Sequence, residues 1–137
     1  MPGPSRLYPC LRYRNPKAAI AFLVEAFGFT PHALHEGPDD TIAHAELRLG
    51  DGIIMIGGLD AEAVAAGRTV SGGAASLYAT VAFVDGHHDK AAAAGAIITQ
   101  PPTDTAYGSR EYSCRDLEGY EWQFGSYDPL ATGEDEA

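Results

Sequence analysis

Residues 41–49 carry the clearest potential for chemistry in this chain. Their alternation puts Ala43, Ala45, Leu47 and Leu49 on one face and Ile42, His44, Glu46 and Arg48 on the other. An imidazole beside a carboxylate could act as a general base or give a nitrogen to a metal. The same histidine could equally be structural, hydrogen-bonded near a cavity or an interface, and the residues leave both roles open. Other groups invite weaker readings. His32 and His35 lie on one strand with opposite parity, so alternation does not let both face one site. His87-His88-Asp89 has the look of a metal motif, but adjacent histidines on a helix point about 100° apart and chelate badly together. A solvated helix start is the expectation there. Cys10 has no histidine near it in sequence and is expected to be buried and inert, as is Cys114. Tyr107 and Arg110 precede the closing hairpin and could clamp an anionic or aromatic ligand, with a salt bridge on the sheet as the alternative for Arg110. Asp116 and Gly119 are expected to make a turn and nothing else.

The elements that must hold these residues follow a repeated order. Residues 7–13 read as a strand, with Pro9 marking an edge or a start. Asn15-Pro16 opens a helix whose apolar face is Ile20, Leu23, Val24 and Phe27, and Gly28 closes it. Strands follow at 29–36, 41–49 and 53–56, separated by turns at Pro38-Asp-Asp40 and Gly50-Asp-Gly52. A Gly-, Ala- and Ser-rich linker spans 57–75, with a short helical turn near 61–66. The pattern then restarts. Ser76–Val84 is a strand, Asp85 a helix cap, 89–94 a helix closed by Gly95, and 96–99 a strand broken by Pro101-Pro102. The hairpin from Tyr107 to Gly125 ends it, with Trp122 and Phe124 alternating toward the core. The order is βαβββ twice over, a duplicated module.

Composition excludes several classes. The net charge of −10 argues against nucleic acid, which requires clustered Lys and Arg. No apolar run approaches the ~20 residues of a membrane span. The N-terminus lacks the charged-then-apolar pattern of a signal peptide, and the two cysteines stand alone without CxxC spacing, so a reduced, cytoplasmic setting is expected.

Four segments together resemble the vicinal oxygen chelate superfamily, the glyoxalase and bleomycin-resistance fold. They are Leu11-Arg-Tyr-Arg-Asn15 running into a helix that ends Ala26-Phe-Gly-Phe29; His44-Ala-Glu-Leu-Arg-Leu-Gly50; Ser76–Asp85 with Ala94-Gly-Ala96; and Asp116-Leu-Glu-Gly-Tyr-Glu-Trp122. The similarity looks closest to its glyoxalase-like and PhnB-like group. The resemblance implies an α+β fold of two tandem βαβββ modules forming a curved mixed sheet, a cup with helices on its convex face. Module one is expected at about 6–58, the linker at 59–75, module two at 76–128 and an acidic tail at 129–137. It further implies a homodimer and a cavity for a small molecule.

In metal-dependent relatives the ligands come from the first and last strands of the modules. Those positions fall here on Tyr8, on Ser76 (or Tyr78 in a shifted alignment), on Gln123, and within Ile54-Met-Ile56. None offers the imidazole, carboxylate or thiolate that divalent metals prefer, so no metal or other cofactor is expected. Strand parity from Tyr8 turns Cys10 and Arg12 into the cup, and likewise Ser76, Tyr78, Thr80, Glu121 and Gln123. Leu77, Val81, Phe83, Trp122 and Phe124 are left for the helix side. The ligand contacts expected are therefore Tyr8, Cys10, Arg12, His44, Glu46, Ser76, Tyr78, Tyr107, Arg110, Glu121 and Gln123, with His44 and Glu121 as the candidates for catalysis. The function expected is sequestration of a small organic ligand. The alternative is an enzyme of glyoxalase, dioxygenase or isomerase type with atypical metal ligands or metal-free acid–base chemistry.

Overall fold

Residues 6–59, 61–67 and 75–131 are described in a computed structural model of the chain. They form two compact units, one ending at Gly73 and one beginning at Ala74. The first unit contains β1 (Cys10–Tyr13), α1 (Pro16–Phe22), β2 (Thr30–Glu36), β3 (Ile42–Leu49) and β4 (Gly52–Gly58), followed by a short α2 (Ala61–Ala65). The second contains β5 (Ser76–Thr80), α3 (Val84–Ala93), β6 (Ile97–Asp104), β7 (Arg110–Arg115) and β8 (Glu121–Gly125). Each unit is thus βαβββ, and the chain is α+β. Each carries one four-stranded mixed sheet, in the orders β1-β4-β3-β2 and β5-β8-β7-β6. The first strand of each unit runs parallel to the last, and the other pairs are antiparallel.

Alternation decides which face of each sheet is covered. In unit one Leu11, Tyr13, Ala45, Leu47, Ile54 and Ile56 are buried, together with Ala19 and Phe22 of α1. Contacts of α1 with β1, β3 and β4 place the helix over that apolar side. Asn15 begins α1 as the sequence implies: its Oδ1 accepts from Ala18 N at 3.1 Å. The helix finishes in a π-helical turn, Leu23–Phe27, which the 3.6-residue pattern does not announce, and stops at Gly28 with φ 88°.

In unit two Tyr112, Cys114, Trp122 and Phe124 are buried beneath α3, which supplies Val84 and Ala91. Each large side chain buried this way contributes roughly 1.5–3 kcal/mol. The buried Trp122 indole donates from Nε1 to Asp116 Oδ2 at 3.0 Å, while Asp116 Oδ1 accepts from Glu118 N and Tyr120 N at 3.0 and 3.1 Å. Asp116 therefore does more than shape the turn.

Several boundaries differ from the sequence expectation. Tyr8 lies before β1 rather than in it. The helix of unit two begins at Val84, five residues before Asp89, with Phe83 at the cap position. Asp85 is not the cap, because its carboxylate is taken by Arg110 Nε at 2.9 Å. With β5 ending at Thr80, Phe83 is 72% exposed, and Val84 fills the buried position instead. The prolines do not end β6, which runs on to Asp104 with register shifts around Gln100. It is an edge strand, where a missing N–H can face outward. Residues 60 and 68–74 of the expected linker, and 132–137 of the expected acidic tail, lie outside the described residues. No described helix is long and apolar enough to cross a membrane.

Candidate functional site

The face of each sheet opposite its helix is polar, and the two faces are built alike. In unit one the register sets Cys10, Met55 and Glu46 in one row across the sheet, and Arg12, Gly57 and His44 in the next. Glycine at position 57 lets the Arg12 side chain lie across the strand: its Nη1 is 3.0 Å from the point a Cβ there would occupy. His44 Nε2 lies 3.1 Å from Glu46 Oε2, and its ring stacks on that of His35, 5.9 Å between centroids. Cys10, Arg12, His44, Met55 and Gly57 line one open concavity of about 170 Å³. Sequence reasoning brought Cys10, Arg12, His44 and Glu46 to one face, and the register agrees. Tyr8, half exposed and ahead of the strand, does not line the concavity. Cys10 is exposed rather than buried, since it sits on the polar row.

In unit two Ser76 pairs in register with Glu121, and Tyr78 with Gln123, so these four share the polar face. Tyr78 Oη and Thr80 Oγ1 both donate to the Tyr127 carbonyl, at 2.7 and 2.8 Å. Tyr107 Oη donates to Glu111 Oε2 at 2.8 Å, and its ring meets that of Tyr127 edge-on at 6.1 Å. Gly125 again provides the floor. A Cβ there would stand 2.5 Å from Glu111 Cγ and 2.8 Å from Tyr78 Oη, so those two side chains converge on the space it leaves. Burial first, then the Glu111 charge, pushes the Tyr78 phenol above its ordinary value, and the hydrogen bond to Glu111 does the same for Tyr107.

Arg110 is the expected contact that the fold turns away. Its parity is that of the buried Tyr112 and Cys114, and its guanidinium pairs with Asp85 at 2.9 Å and Asp104 at 3.0 Å. The salt-bridge reading of this residue is the one the geometry favours. His87 also departs from expectation. Rather than opening a solvated helix start, it packs 4.3 Å from the Phe124 ring, with Nδ1 2.6 Å from Tyr112 Oη. His88 bonds Asp89 at 2.9 Å and also meets the Tyr112 ring edge-on, 5.2 Å between centroids. Cys114 is fully buried, and burial pushes its thiol up to about 12.

Sequence reasoning missed Glu111, Tyr127 and Gly125. Glu111 and Ser113 alternate with buried Tyr112 and Cys114, so period-two reading of β7 could have found them. Tyr127 lies beyond β8, where no periodicity applies.

The positions that would carry a divalent metal hold a phenol at Tyr8, a hydroxyl at Ser76 or phenol at Tyr78, an amide at Gln123, and the Met55 thioether on the polar face. Among the described residues no three of His, Cys, Asp and Glu come together as a metal would require. These donors do not fit a divalent cation.

Residues 7–124 match the family described as the Glyoxalase/Bleomycin resistance protein/Dioxygenase superfamily, and the chain belongs to that family. The crystal structure of TioX from Micromonospora sp. ML1 is 34% identical, with a TM-score of 0.71 over 88% of this chain and 94% of that one. The bleomycin-binding protein of Streptomyces verticillus, solved with copper(II)-bleomycin, shares the fold at 24% identity, with a TM-score of 0.62 over 93% of this chain and all of that one (100%). Uncharacterized protein Mb0911c of Mycobacterium bovis is 28% identical over 124 residues, 87% of this chain and 81% of its own length.

Proposed function

We propose that this protein binds a small organic ligand on the polar face of a sheet, without the divalent metal used elsewhere in the family. One observation carries the reading: Tyr78, Tyr107 and Tyr127 converge on one polar face, partly exposed and fixed by hydrogen bonds. Tyrosine offers an apolar ring and a polar tip, which suits an amphipathic ligand. Gln123, Ser76 and Glu121 would add polar contacts beside the rings; taken by itself, unit one offers Arg12, His44, Glu46 and Cys10 on its own polar face. Tyr8 is retained as a contact from the segment before β1. The bleomycin-binding protein of the same fold is a binder by name, which supports the class of activity and not the ligand. The protein is proposed to act as a cytoplasmic homodimer, and light scattering on the purified protein tests its oligomeric state.

The test is a panel of aromatic and alkylammonium small molecules screened against EDTA-treated protein by saturation-transfer NMR. At least one compound should bind, and Tyr78→Ala or Tyr107→Ala should weaken it about threefold to tenfold. Uniform silence across the panel, or binding indifferent to both substitutions, contradicts the proposal.

The second reading is metal-free acid–base catalysis, favoured by the 3.1 Å His44–Glu46 contact. Glu46 would orient the ring and steady its charged form during proton transfer. Turnover of an α-hydroxycarbonyl substrate that disappears in His44→Gln while binding survives would select it.

A further inference from the structure

We propose that the polar face of unit two receives an organic cation, a protonated or quaternary amine, against Tyr78, Tyr107 and Tyr127 with Glu111 as its counter-charge. This rests on the binding function proposed above and narrows the class of its ligand.

The convergence of these groups is built into the strands. Gly125 leaves open the point at which Glu111 Cγ and Tyr78 Oη approach within 2.5 and 2.8 Å. Any side chain there would push one of them away. Tyr127 follows β8 and is held by two hydroxyls, Tyr78 and Thr80, that donate to its carbonyl at 2.7 and 2.8 Å. Tyr107 arrives from the turn before β7 and holds the Glu111 carboxylate at 2.8 Å. Tyr78 and Tyr107 thus meet around the Glu111 carboxylate, and Tyr127 joins them through its contact with the Tyr107 ring.

The ring geometry and the charge then select the ligand. Tyr107 and Tyr127 stand nearly perpendicular, 86° between planes, and form a corner. A flat aromatic ring slots between parallel rings. A rounded group with an apolar shell fits a corner and can touch both π-faces. The faces of tyrosine rings are electronegative, so each ring face that a cation reaches attracts it. As whole residues, Tyr78, Tyr107 and Tyr127 remain 37%, 66% and 38% exposed, which leaves surface to cover. Glu111 is the charged member of the cluster, while the neighbouring Arg110 is turned to the other face and paired with Asp85 and Asp104. A net charge of −10 further favours a cation over an anion. One carboxylate among phenols is a poor cage for a hard metal ion, whereas an alkylammonium group requires no directed ligands.

The discriminating probes are choline and 3,3-dimethylbutan-1-ol, which share a shape and differ in charge. Titrations of the full chain would follow tyrosine ring signals by NMR. Choline should bind at least about tenfold more tightly than the alcohol. Glu111→Gln and Tyr107→Leu should each erase that preference, while Tyr107→Phe, which keeps the ring, should retain most of it. Unchanged thermal unfolding would show that the variants are folded. Equal binding of the two probes, or choline binding indifferent to Glu111→Gln, overturns the proposal. If a neutral aromatic compound binds and choline does not, the cation proposal falls while the broader binding function stands. If nothing binds, both fall.

Discussion

The buried Asp116 carboxylate makes a sharp test of how the closing hairpin is held. Its Oδ1 accepts two backbone N–H groups, and its Oδ2 accepts the Trp122 indole at 3.0 Å. Asp116→Asn is nearly isosteric. The amide oxygen can keep the two backbone bonds, which turns the new NH2 toward the indole N–H, a donor facing a donor. One hydrogen bond to a charged group is lost, about 1.5–3 kcal/mol, and a buried donor goes unpaired. Together these should destabilise the fold by about 2–4 kcal/mol, moving the urea midpoint down by roughly 1–2 M. The single tryptophan of the chain is this residue, so its fluorescence follows unfolding at the perturbed site. Repeating the substitution in a Trp122→Phe background, followed by circular dichroism, isolates the pair, because the clash then has no partner. A midpoint shift below about 0.3 M, or an equal cost in both backgrounds, would mean that the Trp122–Asp116 bond does not hold the hairpin.

Four other outcomes follow from the same geometry. Gly125→Ala should cost about 1–3 kcal/mol by crowding Glu111 and Tyr78 and should weaken ligand binding, read by urea unfolding and by titration. Thiol labelling of native protein should modify exposed Cys10 and spare Cys114, with both reacting in urea. Because the Cys114 thiol is raised from 9.0 to about 12, its contribution to stability should be intact below pH 9 and decline as pH climbs toward 12, visible in alkaline unfolding curves. Arg110→Ala should leave the urea midpoint nearly unchanged, since its pairs with Asp85 and Asp104 are substantially exposed.

The fold was legible where periodicity is strong. Residues 42–49 and 121–125 alternate cleanly, and buried Ala45, Leu47, Trp122 and Phe124 lie where alternation puts them. Asn15 and Gly28 bound their helix for local reasons of hydrogen bonding and positive φ. The failures come from tertiary partners. Asp85 has a capping residue's chemistry, yet Arg110, distant in sequence, claims its carboxylate. His87 joins a polar-looking trio, yet the ring packs on Phe124. The polar rows around His44 and Gln123 follow from parity alone, but the tyrosine cluster depends on Tyr127, which lies past the last strand, and on the space that Gly125 leaves.

The most direct test of the account is the metal dependence of the purified protein: bound metal by mass spectrometry, then the unfolding temperature after adding nickel, zinc or manganese. The account predicts well under one metal per chain and a shift smaller than the few degrees that a site-specific ligand produces. One metal per chain, with a stabilisation that disappears in His44→Ala, would contradict it.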